Sequence, residues 1–155
     1  MKILGRTSTA SCLSQVYTKR NGGELKPGMF TAAIMSKPSR MMGGQGLMSS
    51  TGDYARFCQM LLNKGELDSK RILKADTVEL MSRNHLRKIG KVYGLGGMVD
   101  GKGGYSWGGA AGTKFWIDPQ NDCYGVFMIQ TWGYKSPTYR VFRALVDNAI
   151  LAEKK

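Results

Sequence analysis

The single histidine, His85, is the residue that could act as the base of a Ser-His-Asp triad. In such a triad the imidazole takes a proton from a serine hydroxyl while an aspartate, here Asp53 or Asp76, orients the ring. The sequence lacks the G-x-S-x-G turn that would expose a nucleophilic serine. His85 follows a predicted helix, and an imidazolium interacts favourably with the dipole at a helix end. The sequence therefore favours a structural role for His85.

Cysteines and carboxylates are the other candidates for nucleophilic or metal chemistry. Cys12, Cys58 and Cys123 are odd in number and form no C-x-x-C pair, so the sequence indicates neither a disulfide framework nor a zinc site. Cys58 falls on the apolar stripe of a predicted helix, which favours a place in the core. Asp118 and Asp122 flank a predicted turn, where hydrogen bonds to the backbone account for them. We therefore expect no metal and no cofactor.

A glycine-rich segment, Trp107-Gly108-Gly109-Ala110, follows a predicted strand. Glycine has no Cβ, so the backbone of such a segment can approach a substrate closely. The residues alone leave two interpretations open. Trp107 is either a packed aromatic ahead of a bend, or part of the wall of a substrate site.

Two helices are predicted upstream of this segment. Ser50, with Asp53 three residues later, marks the start of the first, and Gly65 marks its end. Its apolar stripe consists of Tyr54, Phe57, Cys58, Leu61 and Leu62. The second helix is predicted over residues 75–83, weakly capped by Lys74, with an inner side made of Val78, Leu80 and Met81.

The second half of the chain has the alternation and turns of an antiparallel sheet. We predict strands over 92–99, 105–108, 113–118 and 123–131, with turns over 100–103 and 119–122. Such short connections join antiparallel neighbours rather than β-α-β units. A last helix, starting at Ser136 and Pro137, carries a broad apolar stripe of Val141, Phe142, Leu145, Val146, Ala149 and Ile150. The fold class is therefore α+β, an antiparallel sheet with packed helices.

The composition describes one folded domain with a basic surface. Hydrophobic residues make up 42% of the 155 residues, which argues against disorder, and no apolar run approaches the roughly 18 residues of a membrane span. The net charge of +12 favours acidic partners. The basic residues are scattered, however, and accompany no helix-turn-helix, zinc finger or RNP-like strand, so we expect no nucleic-acid site.

The expected location is the cytoplasm, because the cysteine pattern indicates reduced thiols. An organellar transit peptide is the alternative, since Lys2, Arg6, Lys19 and Arg20 precede the first acidic residue, Glu24.

Several stretches, in order along the chain, resemble the class C β-lactamase-like serine hydrolases, a family that includes penicillin-binding proteins and β-lactamase-like esterases. The stretches are ILGRTST (3–9), GGQGLMSSTGDYARF (43–57), MLLNKGEL (60–67), YGLG (93–96), YSWGGAAGT (105–113), FWIDP (115–119) and VFMIQ (126–130). The resemblance covers nearly the whole chain and is vaguest over residues 10–42.

The resemblance implies an acyl-enzyme mechanism, in which a serine of an S-x-x-K box attacks a carbonyl and a tyrosine of a Y-x-N box shuttles the proton. Neither box occurs in this sequence. The third box is Trp107-Gly108-Gly109, and by analogy the N–H of Ala110 belongs to the oxyanion hole. Tryptophan in place of the lysine of β-lactamases and transpeptidases is similar to the esterase branch.

The expectation that follows is a β-lactamase/transpeptidase-like domain that is incomplete, without its N-terminal part and most of its helical subdomain. Residues 1–155 would comprise a loop-rich lead-in (1–45), helices (46–90), antiparallel strands (91–131) and a C-terminal helix (136–152). We expect such a chain to be inactive alone, to pair with a complementary N-terminal half or with itself, and to bind a small ester or lactam once completed. The alternative is a non-catalytic basic interaction module that binds an acidic partner.

Overall fold

The computed structural model describes residues 14–19, 23–28, 48–133 and 135–154. Cys12, the 3–9 stretch of the resemblance, the start of its 43–57 stretch and most of the loop-rich lead-in lie outside the described residues. In chain order, the described elements are β1 (Tyr17–Lys19), β2 (Leu25–Pro27), α1 (Thr51–Leu62), β3 (Glu66–Leu67), β4 (Lys70–Arg71), α2 (Ala75–Ser82), a 3-10 turn (Arg87–Ile89), β5 (Met98–Val99), β6 (Tyr105–Gly108), β7 (Lys114–Asp118), β8 (Cys123–Phe127), β9 (Thr131–Trp132) and α3 (Thr138–Glu153).

The main sheet has the order β5-β6-β7-β8, and each strand is antiparallel to its neighbour. Phe115 of β7 lies opposite Trp107 on one side and opposite Val126 on the other. A smaller sheet has the order β2-β1-β9, with β1 parallel to β9, and β3 and β4 form a short hairpin. The predicted α+β class with antiparallel neighbours is confirmed.

Alternation along β7 directs its side chains to two packing layers. Phe115 and Ile117 are buried on one face, in a core cluster that α1 completes with Cys58, Met60 and Leu61. The opposite face carries Trp116, which is also buried. Its ring contacts α3 through Tyr139, Phe142 and Arg143. The sheet therefore lies between α1 and α3.

The helix α1 begins as predicted. The Ser50 hydroxyl accepts a hydrogen bond from the N–H of Asp53 at 3.1 Å, which satisfies one of the free donors of the first turn. The chain leaves the helix through Lys64 and Gly65, both with positive φ. The second helix lacks a side-chain cap at Lys74, also as predicted. Val78 and Met81 pack on the core cluster, but Leu80 is exposed, so its predicted inward position is wrong.

Two predicted strands are shorter than expected. Only Met98–Val99 of the 92–99 segment forms a strand, because Leu95 N–H bonds the carbonyl of Met81 in α2 and Gly94 N–H bonds that of Gly97. The predicted strand over residues 123–131 ends at Phe127, because Phe127 already pairs with Lys114, the first residue of β7. Beyond that point Thr131 and Trp132 pair with β1 instead.

The last helix starts at Thr138, one residue after the predicted first helical position, Pro137, and the Ser136 hydroxyl accepts from the Thr138 N–H at 3.3 Å. None of its described side chains is buried. Val141 and Leu145, both on the predicted apolar stripe, are 54% and 63% exposed. The stripe is therefore wider than the surface that the sheet covers. No helix in the described part of the chain combines the length and hydropathy that a bilayer span requires.

Candidate functional site

The predicted third box lies where β6 ends and turns into β7. Trp107 and Gly108 are the last residues of β6, and the turn is closed by Gly109, whose N–H donates to the carbonyl and the hydroxyl of Thr113 at 2.9 and 3.2 Å. Gly112 N–H donates to the Gly109 carbonyl at 3.0 Å, with φ at +89°, a value that favours glycine. A Cβ on Gly109 would lie 2.5 Å from the Thr113 hydroxyl oxygen. Both glycines are therefore required by the turn.

Strand β9 holds this turn from the other side. Thr131 N–H donates to the carbonyl of Ala111 at 2.9 Å, and Gly133 N–H donates to the carbonyl of Ala110 at 3.2 Å. The N–H of Ala110 itself donates to no acceptor in the part of the chain that the structure describes. The N–H groups of Ala111 and Thr113 likewise donate to no acceptor there, so the turn presents three unused backbone donors on a segment whose carbonyls are fixed.

Beside the turn, the edge of β6 has no partner among the described strands, and we call this part its open edge. Strand β5 pairs only with Tyr105 and Ser106, so it stops before Trp107 and Gly108. Hydrogen-bonded and non-hydrogen-bonded pairs alternate along an antiparallel ladder. Since Gly109 bonds Thr113, the peptide groups of Gly108 face away from β7 and toward this open edge. An extended substrate could add its own polar groups there, as a strand does at a sheet edge.

Trp107 forms an aromatic wall on one face of this edge. Its side chain is 45% exposed and meets Tyr93 edge to face, with ring centroids 5.5 Å apart. Tyr93 is positioned by its backbone, because its N–H donates to the Asn84 side chain at 3.1 Å and its carbonyl accepts from His85 N–H at 2.9 Å. No sequence pattern predicts this role for Tyr93 or Asn84. The YGLG stretch of the resemblance is the one signal in the sequence that points to the segment.

His85 has the structural role predicted for it. Its Nε2 lies 2.8 Å from the carbonyl oxygen of Leu80, in the last turns of α2. Neither Asp53 nor Asp76 hydrogen-bonds the ring within the described residues. The alternative Ser-His-Asp arrangement therefore has no geometric support.

The described cysteines are not placed for nucleophilic chemistry. Cys58 is fully buried, and burial raises the pKa of its thiol to about 12. Burial, and then the charge of Asp118, also raise the pKa of the Cys123 thiol. A thiol reacts as the thiolate, so neither residue is activated. Among the described residues no three His, Cys, Asp or Glu side chains cluster closely enough to hold a metal ion.

Asp118 has the turn-forming role that the sequence predicts. Its carboxylate accepts from the N–H groups of Gln120 and Asn121 at 3.1 and 3.3 Å. Asp122, on the other side of the turn, has a positive φ of 48°.

Comparison with known proteins agrees with this architecture. The Beta-lactamase family model matches residues 4–148. The chain belongs to the Beta-lactamase family. Two curated relatives from Mycobacterium tuberculosis, Uncharacterized protein MT1414 (strain CDC 1551 / Oshkosh) and Protein Rv1367c (strain ATCC 25618 / H37Rv), are each 31% identical, over 62% of this chain and 30% of their own length.

Solved structures with the same fold include the simvastatin synthase LovD of Aspergillus terreus. The unliganded selenomethionyl form matches with a TM-score of 0.71 and 19% identity, over 90% of this chain and 42% of its own. The LovD6 mutant matches with a TM-score of 0.68 and 19% identity, over 83% and 40%. At 19% identity, this similarity shows a shared fold and nothing more. The chain thus spans 30% of its curated relatives and about 40% of its structural neighbours.

Proposed function

We propose that this chain supplies one wall of the acyl-binding site of a β-lactamase-like serine hydrolase of the esterase type, and that it does not form an acyl-enzyme alone. The observation that carries the proposal is the unused N–H of Ala110, on a turn that Gly109 closes and β9 holds. A fixed backbone donor of this kind stabilises the oxyanion of a tetrahedral intermediate without reorganisation during the reaction.

The proposed substrate-binding residues are Trp107, Gly108, Gly109 and Ala110. Gly108 presents its peptide groups to the open edge, where a substrate carbonyl and its neighbours would lie. Trp107, supported by Tyr93, offers an apolar surface to the acyl or alcohol group. This surface carries no charge, which is why we favour esters over lactams and the esterase branch over the penicillin-binding branch.

The sequence lacks the patterns that supply the nucleophile and its base in this family. No serine or threonine of the sequence has lysine three residues later, and no tyrosine has asparagine two residues later. A hydroxyl without such a base remains protonated and is a weak nucleophile at neutral pH. We therefore propose that residues 1–155 act as the C-terminal part of a single catalytic domain whose nucleophile and base lie outside these residues.

We propose a partner chain because α3 has an exposed apolar surface. Val141, Leu145 and Leu151 are 54%, 63% and 61% exposed. In addition, β8 pairs on one side only among the described strands. Exposed apolar faces and free strand edges are where other chains associate. We propose that a complementary N-terminal polypeptide, or a second copy of this chain, covers them.

The test of the catalytic proposal is acylation of the purified chain. It is incubated with a fluorescent penicillin and, separately, with p-nitrophenyl acetate, and intact mass is recorded. We expect no stoichiometric adduct on a serine and no turnover above that of a Trp107→Ala variant. A serine adduct in the unaltered chain, with sustained turnover, would refute the proposal.

A second candidate function rests on the net charge of +12. A basic, non-catalytic module would bind acidic partners through long-range attraction that salt screens. Binding to heparin or to anionic vesicles that weakens steeply between low and moderate salt would favour this function. The proposed location for either function is the cytoplasm, where unpaired thiols such as those of Cys58 and Cys123 stay reduced.

A further inference from the structure

A short loop between α2 and β5, residues 86–92, is held closed at its base, and we call it the tip loop. The side-chain oxygen of Asn84 accepts from the N–H groups of Leu86 and Tyr93, at 3.0 and 3.1 Å, and so joins the two ends of the loop. Within the loop, the N–H of Lys91 donates to the carbonyl of Leu86 at 3.2 Å. The tip loop is therefore a preformed feature of the surface.

The tip loop exposes aliphatic side chains to water. Ile89 is 65% exposed and Val92 is 50% exposed. Between them, Gly90 has a φ of +71°, and a Cβ on it would meet no described atom within 4 Å apart from its chain neighbours, so the backbone here borders open space. One exposed aliphatic side chain is ordinary on a protein surface. The charges that surround these two give them a meaning.

Three cations of the tip loop have no acidic partner. Arg87, Lys88 and Lys91 are all exposed. All eleven acidic residues of the sequence lie in the part of the chain that the structure describes, and none of them forms an ion pair with these three. The sequence contains no acid at all over residues 80–99. The tip loop is thus a local concentration of positive charge around an apolar centre.

From this combination we infer that the tip loop docks the chain on an anionic membrane surface, with Ile89 entering the headgroup region and the cations contacting the lipid headgroups. An aliphatic side chain gains free energy when it leaves water for the acyl boundary. Each Lys or Arg near an anionic leaflet strengthens binding by about fivefold. The inference rests on the second candidate function and refines it, and it is independent of the proposed hydrolase site.

Nucleic acid fits the same loop less well. Phosphates would engage the cations, but binding to them would leave Ile89 and Val92 in water. Single-stranded nucleic acid is held by aromatic rings on which its bases stack, and residues 86–92 include no aromatic residue. An apolar centre ringed by cations is matched better by a lipid surface, which offers both an apolar interior and anionic headgroups.

The test is sedimentation of the full chain with lipid vesicles. Vesicles of phosphatidylcholine with about one-third phosphatidylserine supply the anionic surface, and vesicles of phosphatidylcholine alone are the neutral reference. We expect the chain to bind the anionic vesicles at least about tenfold more tightly than the neutral ones. This difference should shrink as salt is added, because salt screens exposed charges.

Variants in the tip loop separate its apolar and its charged contributions. Ile89→Gln should weaken binding to the anionic vesicles by at least about tenfold, because the aliphatic group is lost. Ile89→Leu should retain the binding. Lys88→Gln should weaken it by about fivefold.

Matched controls come from the hairpin of β3 and β4, which precedes α2 whereas the tip loop follows it. Lys70 and Ile72 are exposed there too, but this segment also contains the acidic residues Glu66 and Asp68. Lys70→Gln and Ile72→Gln remove the same groups as the tip-loop variants. Each should leave the affinity within about twofold of that of the unaltered chain, because attraction to the surface falls off within a Debye length.

The outcomes distinguish this inference from the proposals on which it builds. Equal losses in Ile89→Gln and Ile72→Gln, or in Lys88→Gln and Lys70→Gln, would overturn the tip loop as the docking surface and leave a general basic attraction. Equal binding to the two kinds of vesicle would also overturn it. If Ile89→Gln leaves vesicle binding unchanged while a DNA duplex displaces the chain from the vesicles, the surface binds nucleic acid and the inference is wrong. Circular dichroism checks that each variant is folded.

Discussion

The indole of Trp116 lies directly against the Cα of Gly125, its cross-strand partner in β7 and β8. A Cβ on Gly125 would fall 2.5 Å from Cζ3 of that ring and closer to two other ring atoms. The indole also contacts the Arg143 guanidinium, 4.5 Å from the ring centroid, and the Phe142 ring, whose centroid is 5.9 Å away in a T-shaped arrangement. Gly125 thus gives Trp116 the space in which it joins α3 to the sheet.

Replacing Gly125 with alanine should destabilise the protein by forcing Trp116 out of this position. Overpacking of this kind typically costs about 1–3 kcal/mol, which for a chain of this size lowers Tm by roughly 3–10 °C. Thermal unfolding measures the loss, and near-UV circular dichroism reports the tryptophan environment. Gly52→Ala is the control, because Gly52 lies in the first turn of α1 and a Cβ there would make only an ordinary contact, 3.8 Å from the Ser50 hydroxyl oxygen. That variant should be neutral or slightly more stable.

Removing the helix cap at Ser50 should also lower stability. In the Ser50→Ala variant the Asp53 N–H loses its acceptor, at a cost of about 1 kcal/mol. Urea denaturation should show a lower midpoint with an unchanged slope. Ser49→Ala is matched to it, because the Ser49 hydroxyl bonds only the neighbouring carbonyl of Ser50 and no helix N–H. A loss of the same size in both variants would contradict the capping role.

The buried thiol of Cys58 should make the protein less stable in alkali. Its pKa is about 12 in the folded chain, above the ordinary range of a thiol near 8.5. The unfolded chain therefore releases the proton first. The contribution to the free energy of unfolding is fully present below about pH 8.5 and is lost as pH rises toward 12. Denaturation at several pH values should show this loss, and Cys58→Ala should show a smaller one, although it is less stable at neutral pH.

Alkylation measures the same burial directly. With iodoacetamide at pH 8, peptide mapping should find Cys123 modified before Cys58, because Cys123 is only partly buried. Cys58 should react only when the chain unfolds and exposes the thiol, so the rate of its modification should follow the rate of unfolding. Rapid modification of Cys58 in the folded chain would contradict its place in the core.

Local signals account for the parts of the fold that the sequence could predict. The Ser50 cap and Gly65 delimit α1. The turn at residues 100–103 separates β5 from β6 because Asp100 accepts from the N–H groups of Lys102 and Gly104. These interactions join residues close in the chain, so their spacing is visible in the sequence.

Contacts between distant residues explain what could not be predicted. Leu95 bonds the carbonyl of Met81 and so leaves the sheet, and nothing in the alternation of residues 92–99 indicates that bond. The apolar stripe of α3 predicts a buried helix, but only the part near Phe142 and Arg143 meets Trp116. At the candidate site, only the resemblance predicts a role for residues 107–110, and that role stays a prediction. The pairing of Gly108 with Lys114 depends on strand register, which the sequence does not reveal.

The uncovered part of α3 should make the isolated chain associate with itself. Leu145 is 63% exposed on the apolar stripe, and burying a leucine side chain contributes about 1.5–3 kcal/mol. We expect dimers or larger species by sedimentation velocity, and Leu145→Lys should weaken association by at least about tenfold, or about 1.4 kcal/mol. Asn148→Lys adds the same charge at an exposed polar position of the same helix and controls for repulsion. A chain that stays monodisperse and monomeric, and unfolds cooperatively in calorimetry, would contradict the view that α3 needs a covering partner.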